Sequence, residues 1–96
     1  MEKKIYTITT LQKDSLKPGR CVGYYFGLQE AINAVTNNYQ DINEQGFYPY
    51  CVIESVDDGI YSLERKEYWF EWKNNKYEKI ESKPKIFSML ACFGVG

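Results

Sequence analysis

From Lys3 to Leu11 the chain alternates, with Ile5, Thr7, Thr9 and Leu11 on one side and Tyr6, Ile8 and Thr10 on the other. A period of two with β-branched residues predicts a first strand. Lys17-Pro18-Gly19 is turn chemistry, because Pro presets φ and Gly accepts a positive φ after it. A loop over 13–19 follows, and a second strand from Arg20 to Phe26 returns antiparallel to the first. In that strand Val22, Tyr24 and Phe26 are expected on one face, and Cys21, Gly23 and Tyr25 on the other. Gly23 in mid-strand predicts a bulge or a close approach, more simply by a crossing backbone than by a ligand.

The period then changes. Leu28, Ala31, Ile32, Val35, Tyr39 and Ile42 form one stripe at helical spacing, with Gln29, Glu30, Asn33 and Asn37 opposite it. Glu30 suits the positive end of the helix dipole. Asn37-Asn38 is expected to end or bend the helix. Asp41 with Glu44 three residues later has capping-box spacing, and Gly46 is a ready C′ residue for one short turn.

Tyr48 to Val56 is apolar on both faces, which predicts a central strand with Pro49 at its start. Asp57-Asp58-Gly59 signals a tight turn, and Ile60 to Leu63 begins a return strand. Glu64 to Glu67 reads as an exposed charged loop. Tyr68–Trp72 and Lys76–Ile80 flank Asn74-Asn75, the pattern of a two-residue type I′ hairpin. That register sets Trp72 opposite Tyr77 and Phe70 opposite Lys79. After Ser82-Lys83-Pro84 the apolar run Ile86–Phe93 is either a strand or a helical turn. The fold class is therefore α+β: one domain spanning 1–96, with a small antiparallel β-sheet of about five strands in the order β-β-α-β-β-β. One amphipathic helix is packed on one face of that sheet.

Composition narrows the function classes. Twelve Lys and Arg against thirteen Asp and Glu leave a net charge of -1. The signs are mixed along the chain, so nucleic acid is not an expected partner. No run reaches the ~18 apolar residues of a membrane span. With no secretory h-region in the first residues, a cytoplasmic protein without a membrane partner is expected. Three separated cysteines, Cys21, Cys51 and Cys92, argue against a disulfide framework. The chain has no histidine, which removes the commonest general base and the usual His metal sites. No glycine-rich phosphate loop, G-x-S-x-G or C-x-x-C is present. The expectation is a non-enzyme with no cofactor and no metal.

Two groups of residues could carry chemistry. The first is the aromatic set, 17% of the chain, since Tyr and Trp stack on bases while hydrogen-bonding. Several tyrosines stand at the ends of elements, among them Tyr39, Tyr48, Tyr50 and Tyr61. Core filling is the simpler use of the rest. The second is polar: Arg20, Asn38, Asp41, Glu44 and Glu54. The Arg20 fork suits a phosphate, or else a salt bridge to Glu54 or Asp41. Asp41 and Glu44 have the structural alternative of capping.

Arg20-Cys21-Val22-Gly23-Tyr24-Tyr25, Asn38 with Asp41 and Glu44, and Tyr48-Pro49-Tyr50-Cys51-Val52-Ile53-Glu54 together resemble a family of small phage- and bacterium-encoded proteins. Its members carry R-x-V-G-aromatic, N-x-x-D-x-x-E and aromatic-x-aromatic-x-V-I-E segments, and most have no assigned function. The resemblance covers about the middle half of the chain. In size, aromatic content and lack of catalytic machinery the chain is also similar to phage anti-defence proteins. Those proteins sequester, as homo-oligomers, the nucleotide signals of Thoeris or CBASS immunity. The resemblance implies a nucleotide-type ligand, an ADP-ribose derivative or a cyclic nucleotide, and a homo-oligomer. The residues expected to contact it are Arg20, Tyr24, Tyr25, Asn38, Asp41, Glu44, Tyr48, Tyr50 and Trp69. Aromatic rings would stack on the base, Arg20 would meet phosphate, and the Asn38–Glu44 group would take ribose hydroxyls. The alternative is a protein-binding inhibitor or phage structural protein that uses its aromatic sheet face.

Overall fold

A computed structural model describes residues 4–14, 19–57, 66–88 and 93. Five strands form one antiparallel sheet: β1 Lys4–Leu11, β2 Arg20–Tyr25, β3 Tyr50–Asp57, β4 Glu67–Lys73 and β5 Lys76–Ile80, in the spatial order β2-β1-β3-β4-β5. The helix α1, Leu28–Thr36, joins β2 to β3 across the face of β1. The expected α+β architecture is therefore present. β3 takes the centre of the sheet because Cys51 to Val56 is buried on both faces. The expected strand over Ile60–Leu63 lies outside the described residues. So do Glu64 and Arg65 of the charged Glu64–Glu67 run, while Lys66 is exposed and Glu67 opens β4.

The hairpin has the expected register, with Trp72 opposite Tyr77 and Phe70 opposite Lys79. Asn74 and Asn75 take φ of 53° and 64°, the paired left-handed conformation of a type I′ turn.

In β2 the pairing slips between Ile8 and Thr9: Gly23 lies opposite Ile8, and Cys21 lies opposite Thr9. Val22 is thus the extra residue of a bulge. The bulge overturns the simple alternation, because Val22 joins the helix-side core while Cys21 shares the face of Thr9. Among the described residues no backbone crosses above Gly23, since a Cβ built there meets nothing within 4 Å.

The apolar stripe outruns the helix. α1 ends at Thr36 with Asn37 as its C-cap, and Asn38 turns left-handed at φ 48°. Tyr39 and Ile42 therefore belong to the following loop. Ile42 still packs on the core, while Tyr39 is half exposed.

The sheet is covered on both sides. Ala31, Ala34 and Val35 of α1 pack on Ile8, Cys51, Ile53, Phe70 and Tyr77. On the other face Leu11, Val52 and Trp69 pack under Phe87, from a 3-10 turn at Lys85–Phe87, with Phe93 alongside. The indole of Trp69 stacks on the Phe87 ring at 5.4 Å between centroids. Of the two forms open to the tail, its described part is the helical turn. Burying a Phe and most of a Trp this way contributes several kcal/mol.

Candidate functional site

The residues singled out along the sequence fall in two places. Arg20, Tyr24 and Tyr25 stand on β2, and Asn38, Asp41 and Glu44 stand in the loop that leaves α1. Where the β2 edge, the helix end and that loop converge, Arg20 is tied to Glu44 and Asn38 to Asp41. There a pocket of about 170 Å³ is lined by Ile8, Val22 to Tyr25, Ala34, Tyr39, Gln40 and Ile42. Its floor is apolar, and Gly23 leaves the β2 side open. The same loop lines a shallower recess of about 290 Å³ with Asp41, Glu44 and Gln45.

The loop has an unusual backbone. Asn38, Gln40, Asp41, Glu44 and Gln45 all have positive φ, between 48° and 59°. Each such residue without the glycine exemption costs about 1–2 kcal/mol. Gly46, at φ 95°, closes the run at a position that suits glycine, as its place in the sequence suggests.

Asn43 holds this conformation. It is fully buried, and its Nδ2 donates to the Tyr48 carbonyl at 2.8 Å and to the Tyr77 hydroxyl at 3.4 Å. Its Oδ1 accepts the Gly46 N–H, and its own N–H donates to Asn38 Oδ1 at 3.0 Å. The Tyr77 hydroxyl also donates to the Tyr48 carbonyl at 2.6 Å. Burial pushes the Tyr77 hydroxyl pKa well up, against a smaller lowering by the Asn43 hydrogen bond.

This arrangement corrects the capping-box reading. Asp41 Oδ1 accepts from Asn38 Nδ2 at 3.1 Å and from the Gln45 N–H at 3.4 Å, not from Glu44. The Glu44 carboxylate instead accepts from Arg20 Nη1 in a salt bridge. Asp41 is left-handed, so its side chain cannot reach the N–H that an N-cap with extended backbone would bind. The expected partners of Arg20, Glu54 and Asp41, are therefore replaced by Glu44, which ties the sheet edge to the loop. Arg20 and Glu44 stay about half exposed, at 57% and 40% of their side chains.

The other three residues lie elsewhere. Tyr48 is buried, with its carbonyl in the Asn43–Tyr77 network and its ring edge-on to Phe47. Tyr50 and Trp69 sit on the opposite face of the sheet, both against Phe87. Trp69 is only 3% exposed, and its Nε1 donates to Glu67 at 3.0 Å. It is a core residue, and no ligand reaches its ring without displacing Phe87. Glu54 is buried beside it, accepting the Phe93 N–H at 3.0 Å.

A further groove was not read from the sequence. About 520 Å³ at one end of the sheet is bounded by Gln12, Lys13, Gly46, Phe47, Pro49, Glu71 and Trp72. Phe47 is 57% exposed there. Its position between Gly46 and Tyr48, off the period of the next strand, was the available signal.

Among the described residues no group of three or more Cys, Asp and Glu side chains is placed to hold a metal ion. Cys21 and Cys51 are free thiols, and burial pushes the Cys51 pKa far up. No helix among the described residues is long and apolar enough to cross a membrane. No known protein family, curated protein or solved structure was found to match this chain.

Proposed function

We propose that this protein is a non-catalytic binder that, as a homo-oligomer, captures a nucleotide-type small molecule at the corner formed by β2, the end of α1 and the 38–46 loop. One observation carries the reading: of the nine residues expected to contact such a ligand, Tyr24 and Tyr25 line one pocket with Tyr39, and Asp41 and Glu44 line a second recess on the same loop, with Arg20 held on Glu44. The chemistry suits a base and its sugar phosphate. Tyr25 and Tyr39 offer ring faces beside an apolar floor, and Asp41 and Glu44 offer acceptors for ribose hydroxyls. Arg20 uses Nη1 on Glu44, which leaves guanidinium donors for a phosphate.

The strained loop adds support, because left-handed residues held by a buried hub cluster where pre-organisation serves binding. By resemblance to phage anti-defence proteins, the ligand is an immune signal, an ADP-ribose derivative or a cyclic nucleotide.

Native mass spectrometry and calorimetry against those two nucleotide classes test the reading. Uptake is expected, with the nucleotide recovered unchanged after denaturation, and Arg20→Ala is expected to weaken it at least tenfold. Absence of binding to both classes rejects it. Turnover at substoichiometric protein would replace it with an enzyme.

A protein-binding inhibitor is the second reading, favoured by the exposure of Tyr24, Phe26, Tyr39 and Phe47 at 52–75%. The sheet-face version of that reading loses ground at Trp69, whose face is occupied by Phe87.

A further inference from the structure

We infer that the outer edge of β2, unpaired among the described residues, is the contact through which two copies of this chain join, and that the second copy completes the pocket beside it. The ligand side of this inference rests on the binding reading above; the contact itself does not.

The two edges of the sheet are built differently. β5 presents Lys76, Glu78 and Lys79 within five residues, the kind of charged edge that resists pairing. β2 carries one charge, Arg20, and Glu44 of the same chain engages it. The bulge at Val22 twists this edge but puts no charge on it. Aromatic rings flank it on both sides. Tyr24, opposite Thr7, lies edge-on to Phe26 at 5.7 Å, and Tyr39 stands on the helix side. These three are 57%, 75% and 52% exposed. At 150–250 Å² for a whole aromatic side chain, Tyr24 and Phe26 together leave roughly 250 Å² of apolar surface open on one side of the strand. Apolar surface on an uncharged strand edge is available for burial against a partner strand.

A second copy fits this edge by symmetry. A two-fold axis at Gly23, perpendicular to the sheet, sets β2 antiparallel to its own counterpart. Gly23 then faces the partner's Gly23, where neither strand has a side chain to hold the backbones apart. The axis also places both helices on the same face of a continuous sheet. The two pockets, each open over Gly23, meet across the junction. One pocket of about 170 Å³ falls below the ~300 Å³ at which sites for drug-sized ligands begin. Two joined reach roughly twice that volume and enter the range. The monomer site is incomplete, and the partner supplies its other half.

The test uses the full chain without nucleotide. Light scattering behind gel filtration, loaded from ~10 μM to ~1 mM to cover the weak end of specific contacts, should show the mass rising to twice 11.3 kDa. The double variant Tyr24→Lys, Phe26→Lys should stay at 11.3 kDa with an unchanged circular dichroism spectrum. Gly23→Cys, made with Cys21→Ser and Cys92→Ser, has free space for its Cβ. It should oxidise to a disulfide-linked dimer, because directly opposed antiparallel residues lie ~4.5–5.5 Å apart at Cα, inside the disulfide range. A wild-type monomer at every loading overturns the contact. So does a dimer indifferent to the two lysines, or crosslinking no faster than in Ser88→Cys. The ligand reading fails separately: a dimer that takes up no nucleotide leaves the contact standing, whereas a monomer that binds one nucleotide per chain removes it.

Discussion

Asn43 is fully buried, and its amide bridges the 38–46 loop, the start of β3 and the Tyr77 hydroxyl of β5. Asn43→Ala removes these bonds, leaving the Tyr48 carbonyl with the Tyr77 hydroxyl alone and the Gly46 N–H without its partner. Loss of the buried amide's hydrogen bonds is expected to cost about 1–3 kcal/mol. Urea unfolding followed by fluorescence measures it, and a loss under ~1 kcal/mol would show that the loop does not depend on this hub. Asn43 was visible in the sequence only as one of several asparagines between Asn37 and Glu44. Nothing in its local context separates it from Asn38, which is half buried and supports it. The difference is burial beneath Tyr48 and Tyr77, and Tyr77 lies 34 positions away. The Arg20–Glu44 pair was hidden for the same reason. Its register depends on the bulge at Val22, which a strict period of two does not record.

The β4–β5 hairpin was readable throughout, because its register follows from a two-residue turn and needs no distant partner. Asn75 has φ 64°, so Asn75→Ala should cost about 1 kcal/mol for the left-handed backbone. Asn75→Gly should raise the melting temperature, since glycine takes that conformation without a steric cost. Thermal melts of the two variants should therefore move in opposite directions, and a common shift would contradict the turn assignment. The helix was readable in kind but not in length. Its stripe continued through Tyr39 and Ile42 because both positions still meet the core region, the second as a packed residue and the first as a pocket wall. Periodicity reports which side faces inward, not whether the backbone between those positions remains helical.

The molecule closes both faces of its sheet, and the helix-side core contains two groups that ionise only at high pH, Cys51 and Tyr77. Both are neutral when protonated, and burial raises both pKa values in the fold. In alkaline solution the folded chain therefore binds more protons than the unfolded one, and its stability falls as pH rises. The loss begins above the ordinary thiol value of 9.0 and deepens above the ordinary phenol value of 10.0. Urea midpoints measured across that range should drop, and Cys51→Ala should delay the onset by about one pH unit. An onset unmoved by Cys51→Ala would assign the alkaline loss to other groups.

The sequence by itself determined the local layer of this protein: five strands, a helix of the right polarity, the I′ turn, the central place of β3 and the lack of histidine chemistry. These depend on side-chain period, turn residues and composition, which act over a few positions. Tertiary structure alone decided which of the candidate residues lie together. It tied Arg20 to Glu44 and Asn38 to Asp41, set Tyr24 and Tyr25 on a pocket wall, and buried Trp69 and Tyr48 elsewhere. Aromatic residues that serve a core and a pocket have the same local pattern. Only the packing of Phe87 on one face of the sheet, and the open edge of β2 at the other end, separates the two uses.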